Sequence, residues 1–363
     1  MLPEREILAL HQSIVAIPSV SGQEGALADF VADLLRRNGL IPERIGNSLL
    51  ATVGRGPVLL LDTHLDTVPP APGWTRDPWD VEEIDGKVYG LGSNDAKASV
   101  AAMVAAFLAF READLPFTLA LALVEGEETR GSGTEAVMAE LARRGMPPAA
   151  AVIGEPTGLD LAVAQKGLMV LELVARGDAC HAAHASALGA KNAARLLARD
   201  LVALERVDFG APHPYLGPIT LEPTQLRAGT ARNVVPGEAT AILDVRTTPS
   251  LDRREVVERI ERMIEGEIRV LSDRLLPRET SEACPLVEAA RRARPEANAF
   301  GSATLSDMVF MAGIPSVKCG PGRTERSHTP DEYVLESEVV DGSRFYTRLV
   351  RAYAELQAEE AAA

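Results

Sequence analysis

Histidine and acidic residues recur directly after short apolar runs, and this coupling constrains the chain more than any other feature. VLLLDT at 58–63 runs into His64-Leu65-Asp66, and FTLALALV at 117–124 into Glu125-Gly126-Glu127-Glu128. AAAVIG at 149–154 is followed by Glu155-Pro156-Thr157, and the loop GLGSN leads to Asp95, just before an Ala-rich helical pattern at 96–112. Later, IPSVKC and the Gly-rich GPGR precede Ser327-His328-Thr329. Short apolar runs alternating with helical patterns imply an α/β fold with a mainly parallel sheet and helices on both faces. Ligands of such sheets bind outside the carboxyl ends of the strands, where residues distant in sequence converge.

The rest of the pattern sets the domain organisation. Residues 5–16, 25–38 and 132–144 read as helices, and 49–53, 58–63, 117–124 and 149–153 as strands. From residue 168 the rhythm changes. A strand at 168–175, a helix at 189–206, strands at 217–226 and 237–246, a helix at 251–265 and a strand at 267–275 give the ferredoxin-like α+β order. A helix at 286–293, a strand at 314–318 and a helix at 336–356 then complete the first domain. The expected division is a catalytic domain of 1–165 with 280–363, and an inserted domain of 166–279. At about 150 residues per domain, a chain of 363 residues suits two.

Composition excludes some partners. With 52 acidic against 37 basic residues the net charge is -15, which argues against nucleic acid. A few arginines can still recognise a small anion. Cys180, Cys284 and Cys319 form neither a disulfide framework nor a zinc knuckle, which fits a reducing compartment. The opening MLPEREILALHQSIVAIPSV reads as an amphipathic helix rather than a signal peptide. No run approaches the ~18 apolar residues of a membrane span. A cytoplasmic protein without a membrane partner is the expectation.

Two histidines and several carboxylates are a donor set suited to zinc. Five ligands exceed what one four-coordinate ion needs, so two ions sharing a carboxylate fit better. If His64, Leu65 and Asp66 continue one strand, His64 and Asp66 share a face. The Asp66 carboxylate can then accept a hydrogen bond from the imidazole and fix its tautomer. Glu127 and Glu128 diverge, so one can bind metal while the other takes a proton from water. Singly, each cluster has an ordinary alternative: Asp95 can cap the next helix, and a Glu pair can sit on a solvated face. Their recurrence at strand ends favours a joint role. His11, His184 and His213 read as surface or structural residues.

These motifs resemble the dinuclear zinc amidohydrolases that include acetylornithine deacetylase, succinyl-diaminopimelate desuccinylase and bacterial carboxypeptidases. The matching pieces are THLDTVP at 63–69, YGLGSNDAKAS at 89–99, EGEETRGSGT at 125–134, GEPTG at 154–158, GDACHAAH at 177–184, RNVVPGEATAILDVR at 232–246 and GPGRTERSHTPDEYV at 320–334. The resemblance implies a zinc-bearing catalytic domain with an inserted ferredoxin-like dimerisation domain, and hence a homodimer. It implies that His64, Asp95 and Glu155 hold one zinc and that Asp95, Glu128 and His328 hold the other, with Asp95 bridging; cobalt could replace zinc. Asp66 would orient His64, and Glu127 would be the general base. His181 would reach a neighbouring subunit's site and stabilise the oxyanion. Ala98 stands where many members have Gly, a departure that removes no ligand.

The form GLGSNDA, with QKGLMVLE and GPGRTERSHT, is most similar to the acylornithine deacetylase branch, of the arginine-biosynthesis type. The implied substrate is an N-acyl amino acid. The alternatives are a metal-dependent carboxypeptidase or dipeptidase, a LysW-type or diaminopimelate-type deacylase of lysine biosynthesis, and a non-catalytic binding protein. Arg323 and Arg326 could pair with a substrate carboxylate, because guanidinium matches it bidentately. Asn233, Arg246, Ser302 and Thr304 are further substrate-binding candidates, and any of the arginines could equally serve in structural salt bridges.

Overall fold

All seven residues of the strand Val58–His64 are buried, and this requires a strand covered on both faces. In the computed structural model, which describes residues 2–362, that strand sits inside a nine-stranded sheet. Thr118–Val124 and Pro148–Ile153 flank it in parallel, and Ser316–Lys318 adds to Pro148–Ile153 in parallel. Ser48–Gly54 borders this core antiparallel to Thr118–Val124. Leu161–Gln165 borders the other side, antiparallel to Ser316–Lys318.

Helices cover both faces. Lys97–Ala109 is buried from Lys97 to Leu108, as a helix that is apolar all round must be. It packs between Glu4–Val15 and the long Glu336–Ala362. On another cluster, Leu60, Ala120, Ala122, Val124 and Ile153 of the sheet meet Val137 and Leu141 of the helix Ser132–Arg143. Each such Leu or Val contributes roughly 1.5–3 kcal/mol by burial.

The chain divides into two compact units, one of Met1–Val163, Glu279–Phe300 and Ser306–Ala363, the other of Ala164–Arg278 with Gly301–Leu305. The second runs Gly167–Arg176, Ala193–Leu204, Thr220–Ala228, Glu238–Thr247, Arg253–Glu261, Glu267–Leu275, in strand-helix-strand-strand-helix-strand order. Its sheet is antiparallel, with Glu238–Thr247 and Gly167–Arg176 central. Met169, Leu171 and Leu173 alternate with less buried neighbours and pack with Leu197, Val256 and Ile260 of the two helices. This is the one-sided burial of an antiparallel sheet. Asn192 and Asp252 cap those helices, Asn192 accepting from Ala194 N and Arg195 N and Asp252 from Arg254 N.

Some elements depart from the sequence pattern. The helix expected from 189 starts at Ala193, because Gly189, in the left-handed region at φ 60°, ends a short preceding helix. Leu161–Gln165 was unanticipated although wholly buried, since five apolar-rich residues carry little periodicity. Glu82–Ile84, Lys87–Tyr89 and Tyr333–Leu335 form a small sheet whose strands, three residues each, are too short to show a pattern. Among the described residues no helix is long and apolar enough to cross a membrane.

Candidate active site

Parallel pairing places one acidic or histidine cluster beside another. His64 ends its strand opposite Val124, so the Glu125–Glu128 turn follows alongside it. Gly154 donates to Asp62 O at 2.7 Å, which sets Glu155 on the next strand's end. Asp95 lies just ahead of the helix Lys97–Ala109, and the Asp95–Ala96 peptide bond is cis. His328 arrives from the loop beyond Ser316–Lys318 and has φ 58°.

The side chains converge. His64 Nε2 lies 3.2 Å from Asp95 Oδ1 and 3.7 Å from Glu155 Oε1. His328 Nε2 lies 3.8 Å from Asp95 Oδ2 and 2.9 Å from Glu128 Oε1. The two oxygens of Asp95 therefore face two different histidines. Donor atoms of His64, Glu127 and Glu155, and of His64, Asp95 and Glu128, each lie within 4.8 Å of one another. All five expected ligands thus come together, and Glu127 joins them. Imidazole nitrogen with carboxylate oxygen is the donor chemistry of a zinc-type ion.

Asp66 acts differently from the strand-based expectation. His64 Nδ1 donates to the backbone carbonyl of Asp66 at 2.9 Å, while the Asp66 carboxylate lies 3.5 Å away. The strand ends at His64, so two-residue alternation no longer governs Asp66. Its carboxylate instead accepts from Ser21 Oγ at 2.7 Å, Glu127 N at 3.1 Å and Glu128 N at 3.2 Å. One residue fixes the His64 tautomer through its backbone and the Glu127–Glu128 turn through its side chain.

Crowded carboxylates in a dry site shift one another. Burial, reinforced by Glu155, holds the Glu127 carboxyl well above its usual range. Burial also pushes Glu155 up to about 8, opposed by Lys318, whose Nζ lies 3.9 Å from Glu155 Oε2. For Asp66, burial would raise the carboxyl, but the nearby His64 and hydrogen bonds from Ser21 and Glu127 hold it below its ordinary value. Burial would lower His64, yet Asp66 and Asp95 carry it well above. So many carboxylates around two histidines are a site short of positive charge, as a cation site must be.

The substrate-binding candidates separate by what already holds them. Arg326 forms a two-point ion pair with Glu338, at 2.6 and 3.3 Å, and lies over the Tyr333 ring. Arg246 pairs with Asp244 at 2.7 and 3.1 Å. Arg323 is exposed, packs over Gly158 and makes no ion pair among the described residues. Ser302 and Thr304 belong to the second unit, where Ser302 Oγ lies 3.0 Å from Thr304 Oγ1. There too, His181 and Asn233 are neighbours: Ala182 N donates to Asn233 O, and Cys180–His181 pairs with Val234–Val235. His181 is exposed, and its Nδ1 accepts from Ala183 N at 3.2 Å, which leaves the ring proton on Nε2.

Three buried residues went unread in the sequence. Glu332 accepts backbone hydrogen bonds from Gly92, Asn94 and Asp95. Burial pushes it up to about 8, with Asp95 adding and those three donors opposing. Lys318 is buried, with its Nζ turned toward Glu155 Oε2 at 3.9 Å. Asp62 lies in the strand two residues before His64, and burial, followed by Asp307, raises its carboxyl well above the normal range. An Asp inside VLLLDT was a visible breach of an apolar run and the one available signal.

A model of peptidase family M20/M25/M40 matches residues 60–352. The chain belongs to this family. It is accordingly a metal-dependent hydrolase of the M20/M25/M40 type. A succinyl-diaminopimelate desuccinylase of Wolinella succinogenes is 29% identical over 92% of this chain and 96% of its own length. A protein named probable carboxypeptidase, from Aspergillus oryzae, is 34% identical over 70% of this chain, a match that spans 65% of the fungal protein. The crystal structure of an aminopeptidase, PepT, from Bacillus cereus superposes with TM-score 0.81 at 19% identity, covering 97% of this chain and 99% of that one. That last likeness is one of fold.

Proposed function

We propose that this family member hydrolyses the linear amide bond of an N-acyl amino acid, using two metal ions held by His64, Asp95 and Glu155 and by Asp95, Glu128 and His328. The observation that carries this reading is Asp95, whose Oδ1 faces His64 and whose Oδ2 faces His328. A carboxylate so placed can bridge. Bound zinc or cobalt would polarise the scissile carbonyl and make water acidic. Glu127, among the ligands but outside both expected sets, takes the proton from the attacking water and returns it to the leaving amine. Its raised proton affinity suits that exchange.

Arg323, the one of the three candidate arginines that makes no ion pair among the described residues, is the best placed to take up a substrate carboxylate. His181 would donate its Nε2 proton to the oxyanion in a partner copy's site, an interaction of ~3 kcal/mol. The inserted unit would then serve in dimerisation.

The acyl group is a finer question. Similarity to a desuccinylase over nearly the whole chain favours a diaminopimelate-type deacylase at least as much as an acylornithine one. A second reading, carboxypeptidase or dipeptidase, is favoured by the fungal relative's name. The test is free-amine release by metal-loaded protein from N-acetyl-ornithine, N-acetyl-citrulline, N-succinyl-ornithine, N-succinyl-diaminopimelate and dipeptides, with and without chelator. Chelator-sensitive release from an acyl amino acid supports the deacylase. Cleavage of dipeptides alone transfers the protein to the peptidase reading, and release unaffected by chelator defeats the metal mechanism.

A further inference from the structure

Two loops far apart in the sequence of the catalytic unit are laced together beside the candidate ligands. One is residues 92–95, which ends in Asp95; the other is 322–332, which carries His328. Glu332, only 2% exposed, accepts from Gly92 N at 3.0 Å through Oε2 and from Asn94 N and Asp95 N at 2.9 Å through Oε1. In return the Asn94 side chain, wholly buried, imitates a strand partner. Its Oδ1 accepts from Arg323 N at 2.8 Å, and its Nδ2 donates to Arg323 O at 3.0 Å and to Ser327 Oγ at 3.2 Å. The approach is so close that a Cβ on Gly322 would lie 2.3 Å from Asn94 Oδ1. Behind Glu332 lies the buried Lys97, whose Nζ donates to Ile17 O at 2.8 Å.

We propose that Asn94 and Glu332 are positioning residues that fix the separation of Asp95 and His328 and thereby set the affinity of the second metal ion. This rests on the two-ion reading given above. The reason lies in where the ligands stand. His64 ends a central strand, and Glu155 follows another after Gly154, which is itself bonded to Asp62 O, so the sheet orders them. Asp95 and His328 stand on loops, and loops need added bonds to hold ligand geometry. Neither Asn94 nor Glu332 touches an ion or substrate in this scheme. Each acts by holding backbone, and the loss of such outer partners typically weakens metal binding about 10–100-fold.

The test is calorimetric titration of metal-free protein with zinc, for wild type, Asn94→Ala and Glu332→Gln. Gln in place of Glu332 sets an amide N–H₂ against backbone donors and removes the charge. The expected result is two ions on wild type and, in both variants, a second ion weakened about 10–100-fold and a first ion weakened less, since Asp95 serves both ions while His64 and Glu155 stay ordered by the sheet. Turnover should fall at limiting zinc and recover at saturating zinc, which a loss of general structure would not allow. Should Glu332→Gln fail to fold, Asn94→Asp carries the same expectation, since it keeps the acceptor for Arg323 N and loses the donor to Arg323 O. Two ions bound by the variants as tightly as by wild type would overturn the proposal alone, as would equal weakening of both. A wild type that binds one ion would remove it together with the two-ion reading.

Discussion

His328 Nε2 lies 2.9 Å from Glu128 Oε1 although 200 residues separate them in the chain. Neither residue can form its half of the site without the whole catalytic unit in place. His328→Ala should cut the bound metal from two ions to one and lower turnover at least ~100-fold, because the carbonyl then loses part of its activation. Metal analysis of the dialysed variant checks this. Two ions retained would remove His328 from the ligand set.

Glu127→Gln should leave metal content at the wild-type level, since Glu127 stands outside both proposed ligand sets. It should lower kcat roughly 10²–10⁴-fold, the usual weight of a positioned general base, and change KM little. Near-normal kcat would move the base elsewhere.

Gly133 abuts the turn that carries Glu127 and Glu128. A Cβ there would lie 2.4 Å from Glu125 O and 2.6 Å from Glu125 N, both rigid backbone atoms. Gly133→Ala should therefore cost about 1–3 kcal/mol of stability as overpacking and weaken metal binding with it. Thermal unfolding of the metal-free and zinc-loaded forms reads both effects; an unchanged Tm would show that the turn yields.

His11 is buried, with Nε2 donating to Ser93 O at 2.8 Å and Nδ1 without a partner. Burial lowers its pKa to about 4 from 6.5. As pH falls through 6.5 the unfolded chain takes up this proton and the folded chain does not. Stability from this group is intact above 6.5 and erodes towards pH 4, by about 3 kcal/mol in all. Urea unfolding of wild type and His11→Gln between pH 7.5 and 4 should show the difference. Parallel pH profiles would mean that His11 titrates normally.

Arg323→Ala should raise KM at least ~10-fold for a substrate with a free carboxylate and leave its carboxamide analogue nearly unaffected, because a guanidinium–carboxylate pair is charge-assisted. Equal effects on both would place the carboxylate elsewhere.

What was readable in the sequence follows from range. VLLLDT, FTLALALV and AAAVI announce buried strands because burial on both faces leaves only apolar residues, and the acids behind them stand out by contrast. The alternation from 168 to 175 likewise displays a one-sided sheet. Glu332 gave no comparable signal: it lies beside Asp331 in an ordinary acidic pair, and its work is done on the backbone of a residue 237 positions earlier. Strand periodicity does not reach Asp66, because the strand stops two residues short of it. The ion pairs that occupy Arg246 and Arg326 depend on rotamers and neighbours that spacing does not encode.

The pairing of His64 with Val124, and of Asp62 with Ile153, ties the ligands to strand alignment. A slip of one residue between these strands would carry a carboxylate about 3.3 Å along the sheet and turn its side chain to the other face. Apart from Asp62, Thr63, His64 and Thr118, these strands are apolar side chains of similar kind, which offer little to forbid such a slip. Capture of metal would then discriminate between correctly and wrongly aligned chains, so that loading doubles as an inspection step at the end of folding.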